Sequence, residues 1–293
     1  MSAGSLRLLG AGDIRDIAGR LGVRPTKRLG QNFVVEPGTV RQVAALARIR
    51  PGDTVLEVGP GLGSLTLALL EVTGEAGRLV AVEVDPVLAG ELPKTIAERA
   101  PAAADRAVVI TADALGLREQ DIGAPAPSVL AANLPYNIAV PVTLNLLAAL
   151  PSLRRGVVMV QSEVADRMCA GPGSRVYGVP SAKLAWYAAA KSAGTVPRSV
   201  FWPVPNVDSK LVVFTRGDPP PTAASREQVF AVVDAAFSQR RKTLRAALAG
   251  WAGSAAAAER VLRAAGVDPG ARGETLTVAD FARIAAARLP ARD

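Results

Sequence analysis

The chain of 293 residues contains no histidine, one cysteine and few aromatic residues, which make up 4% of it. Without histidine, Ser-His-Asp catalysis, Cys-His catalysis and His-ligated zinc are all excluded. The single cysteine, Cys169, cannot form a disulfide within the chain, which fits a reducing compartment. Apolar runs stay far below the ~20 residues of a membrane span, and residues 1–9 hold no signal-peptide core. We therefore expect a cytoplasmic protein without a membrane partner, whose chemistry uses neither imidazole nor a metal.

Apolar and basic residues, by contrast, are abundant. Hydrophobic residues account for 49% of the chain and charged residues for 20%, so we expect a packed core, and the length suits about two domains. The net charge is +8, yet residues 51–130 alone carry −7, which leaves +15 on the flanking sequence. This layout suits a small or cationic ligand held inside a body that meets a polyanion. General solubility, or a bias towards arginine codons, is the alternative explanation.

Strand and helix patterns alternate through the first half of the chain. Short β-rich runs end in polar residues and are followed by helical spacings of apolar residues, which predicts a parallel sheet with helices on both faces. The polar residues then meet at the carboxyl edge of the sheet, where open α/β sheets bind ligands. The predicted strands are Thr54–Val58, Arg78–Val82, Ala107–Thr111, Ser128–Ala132 and Val157–Gln161, and the predicted helices include Ser64–Val72 and Asp85–Arg99.

Residues 217–225, rich in proline and small residues, are typical of a linker. Beyond it, residues 226–249 and 255–265 are helical by composition, and Thr277 opens another helix. We therefore predict a Rossmann-like α/β domain over residues 1–216, with an N-terminal extension over 1–23, and a small all-α C-terminal domain over 226–293.

A glycine-rich turn, Glu-Val-Gly-Pro-Gly-Leu-Gly at residues 57–63, joins the first predicted strand to its helix. Glycine permits a tight turn and a close approach of the backbone to a ligand. This spacing alone is equally typical of a plain strand-helix turn, but its proline and Glu57 fit an S-adenosylmethionine loop better than a nicotinamide site. Glu83 ends the next strand, where a carboxylate usually takes both ribose hydroxyls, and Asp113 ends the third, where it can accept from an adenine amino group. A surface acid and a helix N-cap are the respective alternatives.

The most specific tetrapeptide, Asn133-Leu134-Pro135-Tyr136, stands at the end of the fourth predicted strand. An exocyclic amine on an aromatic base is a poor nucleophile, because its lone pair is delocalised into the ring. The Asn133 side-chain oxygen and the Leu134 carbonyl can hold that amine and offset the charge that develops during methyl transfer. Tyr136 offers a face for stacking the base. The alternative is a turn that ends the strand and buries Tyr136.

Five motifs, in this order, resemble those of the rRNA adenine N6-dimethyltransferases. That family joins the KsgA/RsmA-type small-subunit enzymes, the Erm-type large-subunit resistance enzymes and mitochondrial transcription factor B. The resemblance covers roughly residues 24–250. Its motifs are Gly30-Gln-Asn-Phe33, the turn at 57–63, Asn133–Tyr136, Gln161-Ser-Glu-Val-Ala165 and Phe201-Trp-Pro-Val-Pro-Asn-Val-Asp-Ser209.

The resemblance implies S-adenosylmethionine as methyl donor, S-adenosylhomocysteine as product, and no metal. It also implies that Phe201 lies opposite Tyr136, so that the two rings sandwich a flipped adenine; without the resemblance, Phe201 would be expected in the core. Val34 stands where the family more often has leucine, and only a backbone or apolar contact is expected there. The implied donor-site residues are Asn32, Val34, Gly59, Gly61, Glu83, Asp113 and Asn133.

Two groups of basic residues are candidates for contact with rRNA phosphate. The stretch Phe237–Ala247 around the denser group looks like the tail of the KsgA type rather than an Erm tail. A solvated helix face is the alternative for this group, and the second group has weaker support. The denser group comprises Arg240, Arg241, Lys242 and Arg245, and the second comprises Arg24, Lys27 and Arg28.

We therefore expect an enzyme that dimethylates two adjacent adenosines near the 3′ end of 16S rRNA, in the small ribosomal subunit or its precursor. The target comes from the resemblance, whereas the residues alone indicate an adenine-amine methyltransferase with a basic RNA face. Nothing in the sequence demands a dimer, so we expect a monomer. The alternatives are an Erm-type 23S rRNA enzyme, a non-catalytic RNA-binding assembly factor and, more weakly, a nicotinamide dehydrogenase.

Overall fold

The structure, a computed structural model, describes residues 6–23, 32–135 and 137–289. The chain divides into two compact units, one of residues 1–165 with 191–216 and the other of residues 166–190 with 217–293. Residues 166–190 thus group with the C-terminal helices, although the sequence pattern assigned them to the methyltransferase domain. The domain bounds proposed from the sequence stay a prediction.

The secondary structure alternates strands and helices as far as residue 169. The strands are β1 (Phe33–Val34), β2 (Thr54–Val58), β3 (Arg78–Glu83), β4 (Ala107–Thr111), β5 (Val129–Asn133), β6 (Arg155–Gln161), β7 (Ala188–Val196), β8 (Phe201–Trp202) and β9 (Ser209–Arg216). The helices are α1 (Ala11–Arg20), α2 (Pro37–Leu46), α3 (Ser64–Thr73), α4 (Pro86–Arg99), α5 (Glu119–Ile122), α6 (Ala139–Ala149), α7 (Ser162–Cys169), α8 (Val179–Ala185), α9 (Arg226–Ser238), α10 (Leu244–Ala247), α11 (Ala249–Ala252), α12 (Ala255–Ala264) and α13 (Val278–Ala287).

Seven strands form one sheet in the order β4-β3-β2-β5-β6-β9-β7, and β1 pairs with β8 in a separate two-stranded ladder. The predicted α/β fold class is confirmed, and the five predicted strands correspond to β2, β3, β4, β5 and β6. These five strands pair in parallel, as the sequence predicts, whereas β9, which the sequence pattern did not reveal, runs antiparallel to β6. Strands β2 to β6 are linked by helices, which return the chain for parallel pairing, whereas β9 arrives from the opposite direction.

The chain order reverses between β2 and β5. From β2 it proceeds outward through β3 to β4, and it then returns to place β5 and β6 on the other side. All five residues of β2 are buried, and α3 is buried along nearly its whole length. A ligand crevice is expected outside the carboxyl ends of the strands at such a reversal. The residues that follow β2 and β5 are therefore brought to one place.

The second unit is helical, and the prediction of one helix over residues 226–249 is wrong in its length. The helix α9 ends at Ser238, a turn follows over residues 239–243, and α10 begins at Leu244. The side chains of α9 that face the core are Val229, Val232, Val233 and Ala236. Within the described ranges, no helix is long and apolar enough to cross a membrane.

Candidate active site

A cavity of about 980 Å³, its open mouth included, lies at the carboxyl ends of β2, β3, β4 and β5. The structure brings together at this cavity every residue that the sequence assigned to a methyl donor. Its lining includes Asn32, Val34, Gly59, Gly61, Glu83, Asp113 and Asn133, together with Leu134.

The glycine-rich turn after β2 forms the floor of the cavity. Gly59 and Gly61 have φ angles of 69° and 58°, in the left-handed region that favours glycine. A Cβ atom on Gly61 would lie only 3.0 Å from the ring of Phe33, and the Gly61 N–H donates to Glu83. A side chain at this position would therefore disturb both the turn and the wall opposite it.

Glu83 ends β3, is 6% exposed and lines the cavity, and its role towards a ribose stays a prediction. Its Oε2 accepts from the Gly61 N–H at 3.0 Å, and its Oε1 accepts from the Asp85 N–H at 3.0 Å. Burial raises the pKa of Glu83, and these two backbone N–H groups partly offset that rise. Each carboxylate oxygen has a second lone pair, so a diol can still bind across the pair.

Asn133 is the last residue of β5 and lines the cavity, where its side chain is oriented by Asn32, the residue just before β1. Its Nδ2 donates to the main-chain oxygen of Asn32 at 3.1 Å. This bond uses one of the two Nδ2 hydrogens and orients the side chain, and the side-chain oxygen can accept a hydrogen bond from a ligand. The Leu134 N–H donates to the Met159 carbonyl at 3.1 Å, which holds the main chain just after β5.

Asp113 follows β4 and lies at the rim of the cavity, exposed to solvent. Its Oδ1 accepts from the Leu115 N–H at 2.9 Å, and residues 114–116 form a turn rather than the start of a helix. The alternative of a helix N-cap is therefore wrong, although the carboxylate does stabilise a turn. One of its two oxygens is used in this way.

The two aromatic residues predicted to bind the target base are Tyr136 and Phe201. Tyr136 lies outside the described residues. Phe201 is 2% exposed and belongs to the hydrophobic core, where its backbone pairs with Val34 in the two-stranded ladder. The sandwich around a flipped adenine stays a prediction, and it requires Phe201 to expose one face when RNA binds.

The basic group after α9 divides into two pairs. The guanidinium of Arg240 donates to Glu274 and to the main-chain oxygen of Arg175, and Arg245 pairs with Glu259 at 3.0 Å. The side chains of the other two, Arg241 and Lys242, are exposed and make no hydrogen bond or ion pair with any described residue. Arg24, Lys27 and Arg28 lie outside the described residues.

Glu57 is a buried carboxyl group that the sequence singled out only as part of the glycine-rich motif. It is 1% exposed, and neither of its oxygens has a hydrogen-bond partner of good geometry among the described residues. Burial raises the pKa of Glu57 to about 8; the nearby Thr66 hydroxyl lowers it and the charge of Glu83 raises it further. Glu57 is therefore expected to be neutral over most of the physiological range.

Sequence reasoning missed the apolar part of the lining. Val84, Ala112 and Ile138 lie at the cavity directly after β3, directly after β4 and just before α6. For Val84 and Ala112 the available signal was their place next to a strand-end carboxylate, since neighbours of a ligand-binding carboxylate face the same crevice. Ile138 carries no such signal, because β5 already ends at Asn133. Within the described part of the chain, no cluster of three or more potential metal-ligating side chains occurs.

Comparisons with known proteins agree with this geometry. The family model described as "Ribosomal RNA adenine dimethylase" matches residues 23–287. A protein of Kineococcus radiotolerans named "Ribosomal RNA small subunit methyltransferase A" is 66% identical, and the match covers 96% of this chain and 92% of that protein. The protein of the same name from Thermobifida fusca is 63% identical, with coverage of 95% and 96%.

Among solved structures, a dimethyladenosine transferase from Plasmodium falciparum matches with a TM-score of 0.69 and 24% identity, over 85% of this chain and 94% of that one. The 23S rRNA methyltransferase ErmE matches with a TM-score of 0.63 and 25% identity, over 87% and 98%. The first match supports the fold alone. Since the family model spans most of the sequence and relatives exceed 60% identity, the chain belongs to the ribosomal RNA adenine dimethylase family.

Proposed function

We propose that this protein transfers methyl groups from S-adenosylmethionine to the N6 amines of two adjacent adenosines near the 3′ end of 16S rRNA. The observation that carries the proposal is the clamped Asn133 amide, which faces a cavity that also holds Glu83 and Asp113. Family membership and the names of the relatives support the reaction and the small-subunit target. Each base receives two methyl groups, so the site must also accept the monomethylated amine.

The cavity fits the proposed methyl donor in shape and in chemistry. The glycine turn leaves room that a Cβ atom would fill, Glu83 can accept from two ribose hydroxyls, and the second oxygen of Asp113 can accept from the adenine amino group. Gly59 and Asn133 face each other across the floor, where a Cβ on Gly59 would lie 3.7 Å from the Asn133 carbonyl oxygen. When bound, the donor supplies an electrophilic methyl group on a sulfonium.

The protein's contribution to the chemistry is to position the amine and stabilise its developing charge. The Asn133 side-chain oxygen accepts one N6–H, and the Leu134 carbonyl accepts the other. Both acceptors are fixed before the substrate arrives, because Asn32 holds the Asn133 amide and Met159 holds the Leu134 N–H. The amine loses its proton only after transfer, when nitrogen is cationic and acidic, so no histidine base is required.

The base and the RNA around it are held by groups outside the cavity floor. Tyr136 stacks on the target adenine, and Phe201 closes the other face once it is exposed. Arg241 and Lys242 contact phosphate, Arg240 and Arg245 position that turn, and Lys27 and Arg28 add a further contact. We propose that the enzyme acts as a monomer in the cytoplasm, on the small subunit or its precursor.

An Erm-type activity on 23S rRNA is the second candidate, since ErmE shares the fold at 25% identity. Relatives named for the small subunit are more than twice as similar, so the 16S target is favoured. A non-catalytic assembly factor would not need the clamped Asn133 or the buried Glu83 at one cavity.

Primer extension on both rRNAs tests the proposal. Total RNA from a strain without the gene should lack the reverse-transcription stops at two adjacent adenosines of 16S rRNA, and the gene should restore them. Stops that change only in 23S rRNA would support the Erm-type reading. If the gene complements the strain but does not restore the reverse-transcription stops, the result would support a non-catalytic assembly factor.

A further inference from the structure

The loop between β8 and β9, residues 203–208, presents an apolar tip to solvent. Val204 is 60% exposed, more than any other large apolar side chain of the described residues, and Val207 in the same loop is 39% exposed. A proline stands on each side of Val204. The loop thus places two exposed apolar side chains within four residues, and a small apolar patch of this kind is a candidate contact surface.

The tip is held rigidly at its base. The Arg198 N–H donates to Asp208 Oδ1 at 2.9 Å, and the Arg198 guanidinium donates to the Asn206 carbonyl at 3.2 Å. The main-chain oxygen of Asp208 accepts from both the N–H and the hydroxyl of Ser162, at 3.0 and 2.9 Å. With both ends fastened and two prolines inside, the loop loses little freedom when it makes a contact.

The tip emerges beside the wall of the cavity. Its stem, β8, pairs with β1, so that Trp202 lies opposite Phe33 and the two rings stack at 6.3 Å. Phe33 lines the cavity next to Asn32, which holds the Asn133 amide. Paired strands lie about 4.8 Å apart, so the apolar tip begins one strand away from the wall that positions the target amine.

The chemistry of the loop favours RNA over an apolar protein partner. Between residues 197 and 210, Arg198 and Lys210 carry positive charge and only Asp208 carries negative charge. A polyanion with apolar base faces matches a tip that is apolar at its end and cationic at its base. An adenosine that leaves the stack also vacates a space, which proteins that unstack bases fill with apolar side chains.

We propose that Val204 is a wedge that enters the RNA stack at the position vacated by the target adenosine, and so positions the flipped base. The proposal rests on the proposed function, because it needs an adenosine to be flipped into the cavity. Val204 touches the neighbouring bases rather than the reacting atoms. It therefore acts on the rate of reaching the reactive complex and leaves donor binding unchanged.

Single-turnover methylation of small subunits, isolated from a strain that lacks the modification, tests the wedge. Val204→Ser should lower the rate at saturating subunits about tenfold, which corresponds to about 1.4 kcal/mol in the activation free energy. Val204→Leu should retain the rate within about twofold, because an apolar tip remains. Val72→Ser alters an exposed valine on α3 and serves as the matched control.

Affinity for the subunits and for S-adenosylhomocysteine is measured in the same variants. The wedge predicts that both stay within about twofold of the parent while the Val204→Ser rate falls. An unchanged rate, or a loss confined to subunit affinity, overturns the proposal, since the tip would then be inert or a simple docking contact. If the parent protein itself does not methylate the subunits, the proposed function fails, and the wedge fails with it.

Discussion

Neutralising Arg241 and Lys242 together should weaken RNA binding in a salt-dependent way. Both side chains are exposed and have no partner in the described structure, whereas Arg240 and Arg245 already pair with glutamates. A cation that is free before binding releases counterions from the RNA when it meets a phosphate, at about 0.7–0.9 units of salt slope per contact. The double substitution to glutamine should therefore reduce the slope by roughly 1.4–1.8.

Binding of small subunits is measured over a series of potassium chloride concentrations, for the parent and for two double variants. Arg240→Gln with Arg245→Gln is the matched control, and it should change the slope much less because these charges are already compensated. Affinity for S-adenosylhomocysteine should survive in both variants. Equal salt slopes for the parent and the Arg241/Lys242 variant would refute the proposed phosphate contacts. This turn would then be an ordinary solvated surface.

Three further predictions concern the cavity and its floor. Glu83→Ala leaves the ribose hydroxyls without an acceptor and should weaken donor binding by roughly 2–3 kcal/mol, with RNA affinity unchanged; calorimetry that finds unaltered donor affinity in a folded variant would falsify the assignment. Glu57 has a pKa raised to about 8, so its folded form binds more protons than the unfolded chain, and stability should fall as pH rises from about 4.5 to about 8. Glu57→Gln should remove that fall, so its melting temperature should exceed the parent's at about pH 8.5 by more than at about pH 6; a pH-independent difference contradicts this. Gly61→Ala should lower the free energy of unfolding by roughly 1–2 kcal/mol because of its φ of 58°, and by more because of the Phe33 contact, and it should also lower donor affinity. Gly12→Ala in α1, where nothing lies near the new Cβ, should instead stabilise the fold slightly. Thermal unfolding measures the stability of both variants, and calorimetry measures their donor affinity.

Much of the central sheet follows from local patterns in the sequence. The predicted β2 and β4 match the structure to the residue, and α3 and α4 begin as predicted at Ser64 and after Asp85. Parallel strands of this kind are short apolar runs that end in polar residues, so each can be recognised from its own residues alone. Glu83, Asp113 and Asn133 could be predicted for the same reason, because strand ends at one sheet edge share one crevice. Asn32 and Val34 were implied by the family resemblance alone.

What the sequence did not reveal depends on contacts between distant segments. The ladder of β1 with β8 has only two residues on each side, too few for a periodic pattern, yet it forms a cavity wall. The commitment of Arg240 to Glu274 and Arg175 divides a cluster that looks uniform in the sequence. Phe201, by contrast, lies in the core, as its residue type alone suggests, whereas the family resemblance assigned it to the target base.

The most direct test of the account is the single-turnover rate of Asn133→Ala at saturating small subunits and donor. Asn133 is proposed as the fixed acceptor for the attacking amine, and removing such a preorganised contact costs about 10²–10³ in rate. Phe201→Ala should instead weaken base capture by roughly 1–3 kcal/mol, which saturating subunits partly restore. A rate for Asn133→Ala at least a hundredfold below the parent's, with donor affinity largely retained, is the predicted result. A rate equal to the parent's would contradict the mechanism and place the reacting amine elsewhere on the sheet.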